Sequence, residues 1–262
     1  MIVIKYGGHA MVNEELAESF ASDVVALVRS GEQVVVVHGG GPQIDHELKA
    51  KGLTSTSVAG LRVTTPEMMN VVEMVLSGRV LRDVTNSLIQ AGGNAVGITG
   101  RDGQLLIAEQ ITKSATGEAV DVGQVGEISH VNPELLSTLI DGGFIPVVAP
   151  VSADRSGQAF NVNADSVAGA ISGALNAERT IFLTDVPGLF RNWPDQSSLI
   201  PTITYSEATA LLPTLADGMI PKVAACLRAI EMGAKSAQIV DGRSIGAVRA
   251  AIDNHSGTVF TQ

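Results

Sequence analysis

Two runs of glycine near the start of the chain follow short β-branched segments, and the first run carries a lysine. The first run is Lys5–Gly8 and the second is Gly39–Gly41. Glycines after a parallel strand let backbone N–H groups approach an anion closely, and a following helix N-terminus adds partial positive charge. Such glycines are more often only tight turns. Two runs at neighbouring strand ends of one sheet nevertheless favour an anion site, because ligands bind at that edge.

A polar cluster lies much further along the chain, in the segment Asn161–Asp165. Alternation along a strand would point Asn161 and Asn163, and with them Asp165 if the strand reaches it, to the same side just as the strand ends. The alternative interpretation is a capped helix start, with Asn163 or Asp165 as the capping residue. The pattern therefore leaves a binding role and a structural role both open.

Two isolated cations are the remaining candidates. Arg62 stands in the apolar segment Gly60–Thr64, where it either binds an anion or is an ordinary surface residue. Lys222 follows the segment Asp217–Pro221 at a predicted helix start. A cation is unfavourable there unless something anionic compensates, and an ATP phosphate would do so.

Familiar motifs of other enzyme classes are incomplete. Gly233–Ser236 resembles the end of a P-loop, but Arg228 occupies the position of the first glycine, and no Gly-x-Gly-x-x-Gly follows a strand. Gly242–Gly246 matches the Gly-x-Ser-x-Gly pattern of hydrolases. Such enzymes need an acid and then a histidine well downstream, whereas only Asp253 and His255 follow. The five histidines lack metal-binding spacing, so no metal site is predicted.

Composition limits the class of protein further. A chain of 262 residues with 45% hydrophobic content can bury a core as one domain or as two lobes sharing a sheet. A net charge of −10, two Tyr and one Trp oppose nucleic-acid binding. Cys226 is the only cysteine, which excludes an internal disulfide, and its apolar surroundings predict burial. The sequence has no basic leader and no apolar run of membrane-spanning length, so a cytoplasmic location is expected.

The elements that must position these residues follow the rhythm of an α/β protein. Short β-branched runs alternate with amphipathic segments, which predicts parallel strands joined by helices. Strands are predicted at Ile2–Tyr6, Gln33–His38, Asn94–Thr99, Phe144–Ala149, Thr180–Thr184 and Ala237–Val240, and an antiparallel hairpin at Gln104–Ile107 and Gln124–Val131. Helices are predicted at Glu15–Arg29, Pro42–Lys51, Thr65–Gly92, Pro133–Asp141, Ala164–Leu175, Ser206–Leu212, Lys222–Gly233 and Ile245–Asp253, and a loop at Pro187–Pro201.

The longest predicted helix opens at Thr65–Glu67, where Thr can cap and Pro tolerates the first helical position. It carries an apolar stripe that could pack inside the protein or against a second subunit, and we expect a dimer contact here. The stripe contains Met68, Val71, Val72, Val75 and Leu76. A boundary between two lobes is expected near residues 173–178.

Six segments carry a resemblance to a known family. In chain order they are Lys5–Gly8, His38–Ile44, Gly60–Thr64, Phe160–Asp165, Leu183–Gly188 and Asp217–Lys222. Together they resemble the N-acetylglutamate kinases of the amino-acid kinase family, and the likeness runs from Lys5 to about Phe260. The first segment alone is shared with aspartate, carbamate and nucleoside-monophosphate kinases, whereas all six in order are specific.

The resemblance implies a fold and an activity. The fold would be an α/β, three-layer αβα sandwich around a mainly parallel sheet. An N-terminal lobe, residues 1–175, would bind the acyl amino acid and dimerise, and a C-terminal lobe, residues 176–262, would bind ATP. The activity would be ATP-dependent phosphorylation of the side-chain carboxylate of N-acetyl-L-glutamate to N-acetyl-glutamyl 5-phosphate, the second step of arginine biosynthesis. A cytoplasmic homodimer is expected.

The resemblance also assigns roles to the candidate residues. Lys5 and Lys222 would be catalytic by stabilising the transferring phosphoryl group, and Asp165 would hold the two lysines in place. Substrate binding would involve Gly40, Gly41, Arg62, Asn161 and Asn163. Nucleotide binding would involve Gly8, Asp185, Val186, Pro187, Gly188, Leu189 and Phe190. ATP and Mg²⁺ are the implied cofactors, with the metal carried on the ATP phosphates and no protein cage for it.

The chemistry of the residues agrees with this assignment. A carboxylate nucleophile is already ionised at neutral pH, so its phosphorylation needs alignment and charge neutralisation but no general base. The lack of a credible catalytic histidine or cysteine is then expected.

The sequence departs from the family in two places. His9 stands where relatives often carry Asn, in the loop expected beside the phosphate. The chain begins directly at the first strand, whereas arginine-inhibited members carry an additional N-terminal helix, so a dimer insensitive to arginine is expected. Two alternatives remain: a kinase of carrier-protein-linked aminoadipate or glutamate, which should show a basic docking surface, and a non-catalytic amino-acid sensor, which could dispense with the lysines.

Overall fold

The computed structural model describes residues 1–7, 11, 13–58, 60–114, 117–215, 219–253 and 256–262. Gly8 and His9, and Asp217 and Gly218 of the segment before Lys222, lie outside this part of the chain. The strands are β1 Ile2–Tyr6, β2 Val34–His38, β3 Ser57–Val58, β4 Leu61–Arg62, β5 Ala95–Thr99, β6 Leu106–Gln110, β7 Val125–Val131, β8 Ile145–Ala149, β9 Val151–Ala153, β10 Ala159–Val162, β11 Arg179–Thr184, β12 Thr202–Thr204, β13 Ser236–Asp241 and β14 Thr258–Thr261.

The helices begin and end close to their predicted positions. They are α1 Glu14–Arg29, α2 Gly41–Ala50, α3 Pro66–Glu73, α4 Leu81–Gln90, α5 Glu134–Asp141, α6 Ala164–Ala174, α7 Tyr205–Leu211, α8 Ile220–Glu231 and α9 Ala247–Asp253. A π-helical segment, Met74–Val80, joins α3 to α4, so the long predicted helix is continuous but widened in its middle. Such widened segments are frequent at functional sites.

The main sheet has eight strands in the order β12-β14-β13-β11-β1-β2-β8-β5. The six predicted strands all pair in parallel, whereas β14 runs antiparallel to β13. Alternate residues of β2 enter two separate cores: Val34 and Val36 face one, and Val35 and Val37 face the other. Helices α1–α4 and α9 cover the first face, and α5–α8 cover the second. The predicted three-layer sandwich is confirmed.

The predicted antiparallel hairpin is confirmed as β6 and β7, which join β9 and β10 in a small closed barrel. The first strand begins at Leu106 and not at Gln104, because Asp102–Gln104 forms a 3₁₀ turn in which Gln104 has a φ of 53°. The short strands β3, β4, β9, β12 and β14 were not predicted, whereas β10 is the strand that one interpretation placed before Asn163.

The apolar stripe of the long helix packs inside the protein, so the dimer contact predicted for it is wrong. Met68, Val71, Val72, Val75 and Leu76 are each at most 5% exposed within the single chain. They form part of the core on the first face of the sheet. An apolar stripe must be covered, but periodicity does not say by what, and here the sheet covers it.

Helices α6 and α8 pack together closely on the second face of the sheet. A Cβ atom built on Gly173 would stand 1.7 Å from the Met232 carbonyl oxygen, and one on Gly169 would stand 3.3 Å from the Ala229 Cα atom. Cys226 of α8 is fully buried, as predicted. Among the described residues, no helix is both long and apolar enough to cross a membrane. The division into lobes at residues 175 and 176 stays a prediction.

Candidate active site

Two clefts open where parallel strands of the main sheet end. The β1–β2 cleft, of about 290 Å³, contains Lys5 and the residues that follow β1, β2 and β8. The β11 cleft, of about 600 Å³, contains the residues that follow β11 and the start of α8. Lys5 pairs in register with Phe182, so the ends of β1 and β11 are neighbours about 5 Å apart. The two clefts therefore lie side by side at the carboxyl edge of the sheet, where ligands of α/β proteins bind.

The β1–β2 cleft is built to receive an anion. It is lined by Gly40 and Gly41 at the N-terminus of α2 and by Asn163 and Ala164 at the N-terminus of α6. Helix N-termini carry unpaired backbone N–H groups and partial positive charge, which favour a negatively charged ligand. The Lys5 ammonium adds a full positive charge.

Small residues make room for these groups. A Cβ atom on Gly7 would lie 3.1 Å from the Lys5 Nζ atom, so a side chain at position 7 would crowd the ammonium group. A Cβ atom on Gly40 would lie 2.5 Å from the Leu76 Cδ2 atom of the π-helical segment. Leu76 thus packs directly on the glycine run and lines the cleft.

Lys5 forms an ion pair with Asp165. The Lys5 Nζ atom lies 3.1 Å from Asp165 Oδ1, and both side chains are mostly buried, at 17% and 27% exposed. The contact is an ion pair whose angles fall short of a well-aligned hydrogen bond. Burial raises the pKa of the Cys226 thiol, and the negative charge of Asp165 raises it further. Asn163 is the helix cap that one interpretation predicted, because its Oδ1 accepts the Asp165 N–H at 2.8 Å.

Arg62 enters the β1–β2 cleft from β4 of the small β3–β4 hairpin. Its Nη1 atom donates to Asp45 of α2 and to Ser55, which fixes the guanidinium and leaves its other N–H groups for a ligand. A guanidinium presents a planar fork that matches a carboxylate. Asn161 of β10 lies across the cleft and donates to the Thr64 hydroxyl at 3.3 Å.

The β11 cleft combines a cation with an apolar wall. The Lys222 Nζ atom lies 3.2 Å from Asp185 Oδ1. Burial acts to raise the pKa of Asp185, but the hydrogen bond and charge of Lys222 outweigh it and hold this pKa below its ordinary value. The rings of Phe190 and Trp193 meet edge to face with centroids 5.2 Å apart, and both line the cleft.

The loop that borders this cleft is fixed from the last strand. Thr258 of β14 is fully buried; its hydroxyl accepts the Leu189 N–H at 2.8 Å and donates to the Ile200 carbonyl at 2.7 Å. The loop predicted at Pro187–Pro201 is therefore irregular but tied at both ends to the edge of the sheet. Nothing in the local sequence around Thr258 indicated this role.

The structure groups the predicted residues into two sets. The β1–β2 cleft is lined by Lys5, Gly40, Gly41, Arg62, Asn161 and Asn163. The β11 cleft is lined by Asp185, Val186, Gly188, Leu189, Phe190 and Lys222. Pro187 lies in the same loop but does not line the cleft. Lys222 forms an ion pair with Asp185, and the expected role of Asp165 in holding both lysines stays a prediction.

Sequence reasoning missed the residues that support the predicted ones. Asp45 and Ser55 orient Arg62, Thr64 orients Asn161, and Asp185 was predicted as a nucleotide neighbour but not as the partner of Lys222. Trp193 was counted among the few aromatic residues that argue against nucleic-acid binding, yet it lines the β11 cleft. Among the described residues no group of three or more His, Cys, Asp or Glu side chains is placed to hold a metal ion.

The two clefts lie next to each other at the edge of the sheet, and each contains its own lysine. Neither cleft contains a described pairing of serine or cysteine with histidine that would activate a nucleophile. Such a site suits the transfer of a charged group between two bound anions, because positioning and charge stabilisation carry most of that chemistry.

Known proteins are similar to this chain in sequence and in fold. The Amino acid kinase family model matches residues 1–241. The acetylglutamate kinase of Geobacter sp. (strain M21) is 49% identical over 98% of this chain and 89% of its own length. The acetylglutamate kinase of Saccharopolyspora erythraea is 48% identical over 98% of this chain and 84% of its own. N-acetylglutamate synthase from Neisseria gonorrhoeae, solved with coenzyme A and N-acetyl-glutamate, is 24% identical with a TM-score of 0.85, covering 100% of this chain and 59% of that one.

The three-layer sandwich, the paired clefts and the family match define the class: the chain belongs to the amino acid kinase family. The solved synthase supports the fold alone at this level of identity. The two curated relatives, at 48% and 49% identity, identify the group within the family: this chain is a member of the acetylglutamate kinases.

Proposed function

We propose that this protein transfers the terminal phosphoryl group of ATP to the side-chain carboxylate of N-acetyl-L-glutamate. The product is N-acetyl-L-glutamyl 5-phosphate, formed in the second step of arginine biosynthesis. The observation that carries the proposal is the pair of clefts at the neighbouring ends of β1 and β11, with Lys5 in one and Lys222 in the other.

The β1–β2 cleft has the size and polarity for the acyl amino acid. Its volume of about 290 Å³ lies near the lower limit of about 300 Å³ for small-molecule sites. Arg62, already oriented by Asp45 and Ser55, would bind one substrate carboxylate, and Asn161 and Asn163 would hold polar groups beside it. The other carboxylate would then lie against the N-terminus of α2, facing β1. It is ionised at neutral pH and needs no base.

The β11 cleft fits a nucleotide. Its volume of about 600 Å³ suits a larger ligand, and Phe190 and Trp193 give it an aromatic wall on which a purine could pack. Asp185–Phe190 would border the nucleotide, and Gly8, outside the described residues, would contribute a phosphate contact. Mg²⁺ would arrive on the ATP phosphates and reduce their negative charge.

Lys5 and Lys222 would act on the phosphoryl group during its transfer. In the transition state the negative charge of this group is delocalised over its oxygens. Cations that are already in position, in a site from which water is partly excluded, stabilise that charge more than mobile cations in water would. Asp165 holds Lys5 and Asp185 holds Lys222, so both ammonium groups are constrained before substrate arrives. Gly41, together with Gly8, would offer a backbone N–H group to the same oxygens, and Gly40 and Gly41 would line the substrate.

A hydroxamate assay tests this activity directly. Hydroxylamine converts an acyl phosphate to a hydroxamate, which iron(III) makes visible. We expect ATP-dependent product with N-acetyl-L-glutamate and far less with glutamate, aspartate or N-acetyl-aminoadipate. A preference for glutamate or N-acetyl-aminoadipate, or no product with any of them, would contradict the proposal.

We propose in addition that the enzyme is a cytoplasmic homodimer whose N-terminal lobe, residues 1–175, binds the acyl amino acid and whose C-terminal lobe, residues 176–262, binds ATP. The long helix still exposes Met74 and Ile89, each at 50%, after its apolar stripe is buried. Covering them would favour association. Sedimentation equilibrium should give a mass of twice 27.1 kDa; a monomer at micromolar concentration would contradict the dimer.

A further inference from the structure

His38 is a fully buried histidine at the end of β2, directly before the glycine run, and it lines neither cleft. Its Nδ1 atom lies 2.8 Å from the Gly39 carbonyl oxygen. Because a carbonyl oxygen only accepts, Nδ1 must carry the proton. The Nε2 atom has no hydrogen-bond partner among the described residues. Burial lowers the pKa of His38 to about 4, although the hydrogen bond to Gly39 acts in the opposite direction, so the ring is neutral at pH 7.

The hydrogen bonds around the glycine run fix its peptide groups one by one. The Gly39 N–H donates to the Tyr6 carbonyl of β1 at 2.8 Å, and the Gly39 carbonyl accepts from His38. The Gly40 carbonyl accepts from the Ile44 N–H at 2.9 Å as the first bond of α2. The helix therefore fixes the orientation of the peptide group between Gly40 and Gly41. The peptide group between Gly39 and Gly40 precedes the helix, and the hydrogen bond from His38 fixes its orientation.

In a trans peptide the C=O and the following N–H point in opposite directions. The Gly39–Gly40 peptide is trans, since the cis bond in the described chain is Trp193–Pro194. The Gly39 carbonyl points to a ring with no solvent exposure, so the Gly40 N–H points away from that ring. Gly40 lines the β1–β2 cleft. Glycine has no side chain to restrict its backbone, so an external contact is needed to keep this orientation.

We propose that His38 is a positioning residue for phosphoryl transfer: its Nδ1–H, bound to the Gly39 carbonyl, turns the Gly40 N–H into the β1–β2 cleft, where it donates to the transferring phosphoryl group. This inference rests on the proposed function. His38 itself touches neither substrate and moves no proton. Of the two backbone donors at the start of α2, the Gly41 N–H is oriented by the helix and the Gly40 N–H by the imidazole.

Two variants of similar shape separate this role from a structural one. His38→Asn can place an amide N–H near the position of Nδ1, whereas His38→Leu has the same branching but no donor. We expect His38→Leu to lower kcat roughly 10- to 100-fold, with KM for both substrates changed by less than about threefold, because a misdirected donor acts mainly in the transition state. We expect His38→Asn to recover most of that kcat. Melting temperatures of both variants serve as the folding control.

Wild-type kcat in a folded His38→Leu variant would overturn the inference, as would equal losses in the two variants. A second measurement does not depend on activity. Long-range ¹H–¹⁵N correlation spectra of the wild-type protein should show the neutral Nδ1–H tautomer of His38 at pH 7, and the Nε2–H tautomer would refute the hydrogen bond. If the wild-type enzyme phosphorylates none of the test acids, the proposed function fails instead. The tautomer of His38 would still test its hydrogen bond to the Gly39 carbonyl.

Discussion

The substitution Asp165→Asn tests how much of the activity depends on holding Lys5 in place. Asparagine keeps the shape of the side chain and its position in the first turn of α6, and only the negative charge is lost. The Lys5 Nζ atom, 3.1 Å from the carboxylate, would lose its ion-pair partner in a site where the two side chains are 17% and 27% exposed. Asp165 lines neither cleft, so substrate contacts should stay intact.

The size of the effect follows from this burial. Removing one partner of a fully buried ion pair costs about 3–5 kcal/mol, and an exposed pair is worth at most about 1 kcal/mol. This pair is partly buried and lies between those limits, at about 2 kcal/mol or more. If that energy is needed to place Lys5 in the transition state, kcat falls at least about 30-fold.

The assay is steady-state ADP release with saturating ATP and N-acetyl-L-glutamate, accompanied by a thermal melt. Asp23→Asn is the matched control, because Asp23 is a 6% exposed carboxylate that accepts the Arg249 N–H at 3.2 Å and lines neither cleft. We expect Asp23→Asn to lower the melting temperature but leave kcat close to wild type. Normal turnover in a folded Asp165→Asn enzyme would refute the role assigned to the ion pair.

Further predictions concern the second lysine, substrate recognition, pH and packing. Lys222→Ala should lower kcat roughly a hundredfold or more with a smaller change in KM, and unchanged kcat would remove it from the mechanism. Arg62→Lys should raise KM for N-acetyl-L-glutamate about tenfold and affect kcat less, because an ammonium cannot form the bidentate fork; initial-rate kinetics measure both. The depressed pKa of Asp185 means that its stabilising contribution is present above the unfolded-state pKa and is lost as pH falls through the folded-state value. Melting temperatures below about pH 4 should therefore fall less steeply in Asp185→Asn than in wild type, and parallel curves would argue against the shift. Gly173→Ala should lower the free energy of unfolding by about 1–3 kcal/mol in urea titrations, since its Cβ would meet the Met232 carbonyl; wild-type stability would contradict the close approach of α6 and α8.

The sequence was most informative where a pattern repeats locally. Alternating β-branched runs and amphipathic segments were sufficient to predict the six central strands and to place each helix within a few residues of its position. The burial of Cys226 followed in the same way from its apolar neighbours. Short strands such as β12 and β14 carry too few residues for alternation to be recognised, and they exist because an edge of the sheet is available to pair with them.

The residues of the candidate site also differ in how far the sequence predicts them. Position at a strand end was enough to select Lys5 and the glycine runs, because the carboxyl ends of parallel strands meet at one edge, and Lys222 and Arg62 were selected as isolated cations. The family resemblance named Asp165 as the partner of Lys5, but no local pattern indicated the partners of Arg62 and Lys222. A charged head group can pair with any opposite charge that the fold brings within reach, and the sequence order of carboxylates does not reveal which one arrives.

By itself, then, the sequence determined where the helices and the six central strands form, which faces are apolar and which residue types stand at the strand ends, because these depend on neighbours a few positions apart. Only the tertiary structure decided that the long helix buries its stripe against the sheet, that Lys222 pairs with Asp185, and that His38 binds the Gly39 carbonyl. Except for the last, these contacts join segments far apart in the chain. They depend on how layers pack and on where the backbone directs each side chain, which local periodicity does not encode.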